Sequence, residues 1–257
     1  MRITILTLFP TMFDGFLENS IIKRALAKKC VSVDVVGIRS FTKDKYGRTD
    51  TPPIGGGAGL IEKCQPIVDA LRSVRTPGSH AVLFSPRGGT YDEKKAQSYA
   101  KLDHLILVCG HYEGVDERVN HYVDELLSIG DYVLTGGEIP AMAVSDSVIR
   151  LLDGAIAKES LVDESFNAPL LEYPQYTEPA DYEGLKVPPL LYTGDHGAIA
   201  KWRRKQSLDL TRKHRADLFG KLELTKQDKK LLAELDGGEA PKWETTALEK
   251  GKKFIKK

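Results

Sequence analysis

A chain of 257 residues, 41% hydrophobic and 28% charged, carries enough apolar material for a buried core, so disorder is not its default state. A formal net charge of +1 argues against a chain-wide electrostatic grip on nucleic acid, and no apolar run nears the roughly 20 residues that a membrane span needs. Three widely separated cysteines, Cys30, Cys64 and Cys109, with no histidine at ligand spacing, argue against a zinc site or a disulfide framework and fit a reducing cytoplasm.

In chain order, Ile3–Leu8 is an apolar strand. It follows a single Arg2 and runs into Phe9-Pro10 without a small-residue cleavage pattern, so no signal peptide is expected. Glu18–Lys29 is a helix and Val31–Val36 a second strand. Pro66–Arg75 has the proline of a first helical turn, His80–Phe84 is a strand, and Tyr91-Asp92 can cap a helix over Asp92–Lys101. His104–Cys109 and Glu125–Ile129 are further strands, and Pro140–Leu152 is a further helix. The strand runs are continuous rather than alternating, as expected where both faces of a sheet are covered. The expected fold class is α/β, a mostly parallel sheet with crossover helices.

Beyond Leu152 the texture changes. Asp153–Leu170 is small, polar and acidic, and Tyr173–Pro189 is proline-rich with little period, which reads as a linker or mobile lid. A small all-α domain follows, with helices over Ala198–Lys213 and Thr225–Leu235 and a frayed basic ending, LEKGKKFIKK. The boundaries fall at 1–160, 161–189 and 190–257. Charge is concentrated in this last part: Lys201, Arg203, Arg204, Lys205, Arg212, Lys213 and Arg215 stand against one acid, Asp209. Such a stretch can meet phosphate or can be a solvated helix face.

Glycine clusters in four turns: IGGGAG (Ile54–Gly59), SPRGG (Ser85–Gly89), CGHYEG (Cys109–Gly114) and SIGDYVLTGGE (Ser128–Glu138). The last three lie just past strand ends, the edge at which open α/β sheets bind ligands. Any one of them could be a plain turn, but three at equivalent strand ends make one shared ligand the economical reading. G-x-G-x-x-G after the first strand and G-x-x-x-x-G-K-[ST] are both missing, which disfavours ordinary dinucleotide and P-loop chemistry. Main-chain groups at bare glycines suit a bent adenosine-containing cofactor instead.

The motifs LTLFP-x-MF (Leu6–Phe13), IGGGAGL, LVCGHYEG-x-DERV (Leu107–Val119), SIGDYVLTGGE-x-PAM (Ser128–Met142), D-S-V-x-R (Asp146–Arg150), LLEYPQYT-x-P and WR-x-x-QSL (Trp202–Leu208) occur in that order. Together they resemble the bacterial tRNA (guanine-N1)-methyltransferase family over about residues 1 to 235. The resemblance implies a SPOUT-class α/β domain with a C-terminal trefoil knot and S-adenosyl-L-methionine bound bent inside it. It also implies a homodimer whose active sites are shared between subunits. The reaction it implies is methylation of tRNA at N1 of guanosine 37, 3′ of the anticodon, where a guanosine precedes it. Mg2+ is left open as an additional cofactor, with no metal-ligating residue assigned.

Carried over motif by motif, Gly110, Tyr112 and Glu113, then Ile129, Gly130, Asp131, Tyr132, Val133 and Leu134, then Gly136, Gly137 and Pro140, are expected to line the donor pocket, with Ser85 and Pro86 on its rim. Gly136 and Gly137 would be bare so that knotted main chain and donor adenine can meet. The side chains of Tyr132, Val133 and Leu134 are expected in the core. Glu113 could serve the donor, magnesium or loop geometry, and His111 is expected to face a base or a phosphate.

Removing the N1 proton while the sulfonium methyl is attacked calls for a carboxylate base and for a cation at O6. In the family the base directly precedes a Ser-Phe pair. VDESF here puts Glu164 in that place, in a slightly shorter linker, so Glu164 is the expected base and Asp163 the alternative. Arg150 is the expected O6 partner, against an ordinary i,i+4 pair with Asp146. Asp50 with Gly55, Gly56 and Gly57 would face the target nucleotides, and Lys201, Arg203 and Arg204 would meet phosphates of the anticodon arm. Ile54 stands where the family has tyrosine, which removes a stacking surface. Two other classes compete: a non-catalytic RNA-binding knotted protein, which would tolerate loss of Glu164 and Arg150, and a nucleotide hydrolase, which would consume its ligand without labelling RNA.

Overall fold

The apolar runs fold, in a computed structural model that describes residues 1–157, 165–166, 168–238 and 240–255, as β1 (Arg2–Thr7), β2 (Ser32–Gly37), a short antiparallel pair β3 (Asp50–Thr51) and β4 (Ile61–Glu62), β5 (Ser79–Thr90), β6 (His104–Val108) and β7 (Glu125–Ser128). The five longer strands form one parallel sheet in the order β2-β1-β6-β5-β7. Between them lie α1 (Asp14–Leu17), α2 (Ser20–Ala27), α3 (Cys64–Val74), α4 (Glu93–Tyr99) and α5 (Glu138–Ile149). Period-2 alternation explains why the strand sequences are apolar throughout. Ile3, Ile5, Leu105 and Leu107 turn to one face, against Ile22 and Ala25 of α2 and Ala141, Val144 and Val148 of α5. Leu6, Ile106 and Val108 turn to the other, against Ile67, Ala70 and Leu71 of α3.

Helix ends follow local chemistry. Asp92 caps α4 by accepting from the Lys95 N–H at 2.8 Å, as its position predicts. Helix α5 starts earlier than expected, at Glu138, which places Pro140 in its first turn, where no N–H is needed. β5 runs on past Phe84 to Thr90 through a register shift, so SPRGG belongs to an irregular strand end and not to a free turn.

By its contacts the chain divides into Met1–Leu161 and Val162–Lys257. The second unit holds the hairpin β8 (Asp181–Tyr182) and β9 (Leu185–Lys186), a 3-10 turn at Pro189–Tyr192, then α6 (His196–His214), α7 (Ala216–Phe219), α8 (Lys226–Asp236) and α9 (Lys242–Ile255). The expected fraying of the basic ending is corrected: α9 reaches Ile255, buries Ala247 beside Leu190 and Trp202, and joins Glu244 to the buried Lys205 at 2.6 Å. Glycine in the middle of LEKGKKFIKK suggests a weak helix, yet a Cβ on Gly251 would collide with the Pro189 carbonyl, so the close approach itself calls for glycine.

The basic run of α6 is largely committed within this unit. Arg204 grips Asp228 through two hydrogen bonds of 2.7 and 3.0 Å, Arg212 meets Asp236 at 2.8 Å, and Lys213 meets Asp209 at 2.7 Å. Asp228 also completes a capping box with Thr225 at the start of α8. The Arg204 guanidinium holds the buried Asp228 carboxyl at about 2, below its usual 3.8. Its stabilisation is therefore fully present above about pH 4 and lost as pH falls through about 2. Asp228→Asn is expected to cost about 2 kcal/mol at neutral pH and to flatten the acid limb of unfolding. Both tryptophans, Trp202 and Trp243, lie in this unit, so tryptophan fluorescence in urea reports the change.

Candidate active site

A cavity of about 460 Å³ opens at the C-terminal ends of β5, β6 and β7. Ser85 and Pro86 line it from the end of β5, and Gly110, Tyr112 and Glu113 from the loop after β6. Ile129, Gly130, Tyr132, Val133, Leu134, Gly136 and Gly137 line it from the segment after β7, and Pro140 from the first turn of α5. Of the expected lining residues only Asp131 does not reach it among the described residues. Arg87, His111 and Asn120 were not foreseen as lining. Arg87 sits inside SPRGG and pairs with Glu117 at 2.7 Å on the rim. Asn120 lies outside every glycine motif, and its buried Oδ1 has no hydrogen-bond partner while its amide donates to Glu117 at 2.7 Å.

The two glycines of LTGGE answer first to protein. A Cβ on Gly137 would stand 2.7 Å from the Cys109 Cα, and one on Gly136 would collide with the Glu138 carboxylate and the His111 imidazole. Main chain crosses main chain here, with the Gly137 N–H donating to the Gly110 carbonyl at 2.8 Å. The expectation that knotted backbone and donor adenine both require these glycines is thereby narrowed: backbone crossing alone accounts for Gly137, and a His–Glu pair accounts for Gly136.

The loop after β6 is strapped to the β3–β4 hairpin. Glu62 N–H donates to the Gly114 carbonyl at 3.0 Å, Asp116 N–H to the Glu62 carbonyl at 2.9 Å, and Glu113 N–H to the Leu60 carbonyl at 3.1 Å. The Glu113 side chain lies over Gly59, where a Cβ would collide with it. Tyr112 takes a left-handed φ of 58°, rare for an aromatic residue, and burial together with its hydrogen bond to Asp50 raises its phenol pKa. Asp50 is thus joined to the pocket wall. Gly55, Gly56 and Gly57, all with positive φ, carry the exposed Ile54 beyond it.

One expectation on this wall is corrected. Tyr132 and Val133 are not core: they are 56% and 87% exposed, because the segment after β7 leaves the sheet and runs along the pocket mouth. His111 lines the cavity with its Nδ1 buried 3.6 Å from the Glu138 carboxylate and its ring packed on Phe9. Arg150 sits half-buried just past the end of α5, one turn beyond Asp146, and does not line the cavity among the described residues. Glu164 and Asp163 lie outside the described residues. Lys201 and Arg203 are exposed on α6, the former beside the Trp243 ring and the latter over the Tyr173 ring, whereas Arg204 is held by Asp228.

A parallel sheet whose carboxyl edge holds a crevice walled by glycine-rich main chain, with an unsatisfied Asn120 carbonyl and few charged side chains, defines an α/β protein built for a compact nucleoside-type ligand. The comparisons narrow that class. The chain belongs to the tRNA (Guanine-1)-methyltransferase TrmD family, whose model matches residues 1–221. It is 50% identical over 234 residues to a tRNA (guanine-N(1)-)-methyltransferase of Clostridium acetobutylicum, covering 90% of this chain and 96% of the relative. It is 51% identical over 239 residues to one of Geobacillus kaustophilus (91% and 98%), and 49% identical over 219 residues to one of Malacoplasma penetrans (85% and 97%).

Proposed function

We infer that this enzyme transfers a methyl group from S-adenosyl-L-methionine to N1 of guanosine 37 in tRNA. The observation that carries the inference is roughly 50% identity to tRNA (guanine-N1)-methyltransferases over nine-tenths of the chain, with the CGHYEG and SIGDYVLTGGE motifs lining one cavity. The cavity fits the donor: its volume is that of a small-molecule site, its walls are main chain and apolar side chains, and Asn120 offers an acceptor without a partner. Gly110, Tyr112, Glu113, Ile129, Gly130, Tyr132, Val133, Leu134, Gly136 and Gly137 would hold the donor, which supplies an electrophilic sulfonium methyl. The chain itself supplies the rest. Glu164 takes the N1 proton, with Asp163 as the alternative, and Arg150 neutralises charge developing at O6. No step is routed through Mg2+, which stays open as an additional cofactor: among the described residues no group of three or more His, Cys, Asp or Glu side chains gathers, and Mg2+ is commonly held by one or two carboxylates together with water and substrate oxygens.

The family resemblance supports a trefoil knot around this site and a cytoplasmic homodimer with shared active sites. Exposed Tyr132, Val133 and Ile139 beside the pocket are apolar surface suited to a second subunit. Among the described residues no helix is long and apolar enough to cross a membrane. For the anticodon arm, Lys201 and Arg203 are the available phosphate contacts, since Arg204 is engaged by Asp228. Lys201→Ala and Arg203→Ala are each expected to weaken tRNA binding and to reduce the salt slope by about one unit, whereas Arg204→Ala should chiefly lower stability. Filter binding across a salt series separates the two behaviours.

The function itself is tested by methyl transfer from labelled donor to two tRNA transcripts that differ only in guanosine or adenosine at position 37. Label in the first and none in the second is expected. Equal label in both, or none in either, overturns the reading.

A further inference from the structure

The donor pocket has a second polar layer behind it that the methyl-transfer chemistry does not use. Glu62, at 0% exposure, reaches from β4 to accept the backbone N–H of His111, and its other oxygen, Oε2, has no hydrogen-bond partner. Glu138, 2% exposed, accepts the Thr7 hydroxyl at 2.7 Å through Oε1, and its Oε2 lies 3.6 Å from His111 Nδ1, which is itself buried and without a hydrogen bond. Gly136 leaves the space that this His–Glu pair occupies. Two buried carboxyl groups thus flank one residue of the pocket wall, one on its main chain and one at its ring.

We propose that Glu62 is a positioning residue for methyl-donor binding: through His111 its carboxyl group fixes the Gly110–Gly114 wall against the Gly136–Gly137 turn. This rests on the reading of the cavity as the donor site. A buried acceptor for a wall N–H is worth more than a solvated one, because losing it strands the donor away from water. Glu138 meets this stretch at the His111 ring and Asp50 at the Tyr112 hydroxyl, but among the described residues Glu62 is the side chain that accepts one of its main-chain N–H groups; the remaining ties to β4 and to Leu60 are main chain to main chain.

The groups facing Glu62 favour its uncharged form. Glu138 from α5 and Asp50 across the β3–β4 ladder are carboxylates, the Cys109 thiol is a buried neighbour and the His111 ring a partly buried one, while the His111 main-chain N–H and, more weakly, Arg39 oppose them. Burial, the leading cause, and these charges push the Glu62 carboxyl from 4.5 up to about 8. A neutral acid can sit beside Glu138; an ionised one repels it and loosens the wall. The folded chain therefore keeps a proton between about pH 4.5 and 8 that the unfolded chain releases, so this group's contribution to stability falls as pH rises across that interval.

The test is calorimetric titration of S-adenosyl-L-methionine into the full chain, wild type, Glu62→Gln and Glu62→Leu, from pH 6.5 to 9.5. Wild-type affinity is expected to be level at the acid end and to fall at least about threefold above pH 8. Glu62→Gln, which keeps the acceptor and cannot ionise, should bind like wild type at pH 7 and show no alkaline fall. Glu62→Leu should bind about tenfold more weakly, the expected scale for a buried donor left unpaired. Wild-type affinity in a folded Glu62→Leu, or an alkaline fall retained in Glu62→Gln, overturns the proposal. Should Glu62→Leu fail to fold, the pH profiles of the other two proteins decide. A wild-type chain that binds no donor at any pH overturns instead the donor-site reading beneath it.

Discussion

Gly137→Ala is expected to lose about 3 kcal/mol of stability, the upper part of the usual range for overpacking a core, and with it most of the affinity for the methyl donor. The added Cβ would lie 2.7 Å from the Cys109 Cα and 3.1 Å from the Gly110 nitrogen, and both obstacles are main chain. Neither wall can retreat freely. Cys109 donates its N–H to the Leu6 carbonyl at 2.9 Å, Gly137 donates to the Gly110 carbonyl at 2.8 Å, and the Gly137 carbonyl accepts the first α5 bond, from Ala141, at 2.9 Å. Relief of the clash would break one of these and shift the loop that walls the cavity. Gly15→Ala is the matched control, since its Cβ meets nothing within 4 Å, and its effect should stay within about 0.5 kcal/mol. Thermal melts and donor titration on both chains check the pair; a Gly137→Ala protein that melts and binds like wild type refutes the backbone crossing as the reason for this glycine.

Glu164→Gln should lower the single-turnover methyl-transfer rate by about 100- to 10,000-fold, the usual contribution of a positioned general base. Donor and tRNA affinities should change little, because the amide keeps the size and polarity of the acid. Asp163→Asn should retain most of the rate if Glu164 holds the role. Rapid-quench measurements with enzyme in excess separate chemistry from product release, which steady-state turnover would blur. Full activity in Glu164→Gln with a collapse in Asp163→Asn moves the base by one residue. Full activity in both would remove the VDESF acids from the mechanism.

Much of the first unit was legible because its information is local. The apolar runs of β1, β6 and β7, the proline of α3 and the Asp92 cap each depend on neighbours a few residues away, and period and capping rules read such neighbours directly. The pocket was legible for a different reason: its walls are three contiguous motifs, each following its own strand, so placing the strands places the walls. Asn120 escaped because it belongs to no motif. Tyr132 and Val133 were misplaced because composition cannot distinguish an apolar segment that enters a core from one that borders a ligand or a partner surface.

By itself, the sequence determined a parallel α/β sheet covered on both faces, a glycine-rich ligand edge and membership of one methyltransferase family, since each is written in short stretches that keep their meaning wherever the chain folds. Only the tertiary structure decided which atoms stand opposite Gly136 and Gly137, that Arg204 belongs to Asp228 rather than to solvent, that the basic ending is helical as far as Ile255, and that Glu62 meets His111. Apart from Glu138 beside Gly136, those contacts join residues separated by tens of positions, and at that separation burial and backbone crossing, not local pattern, select the partner.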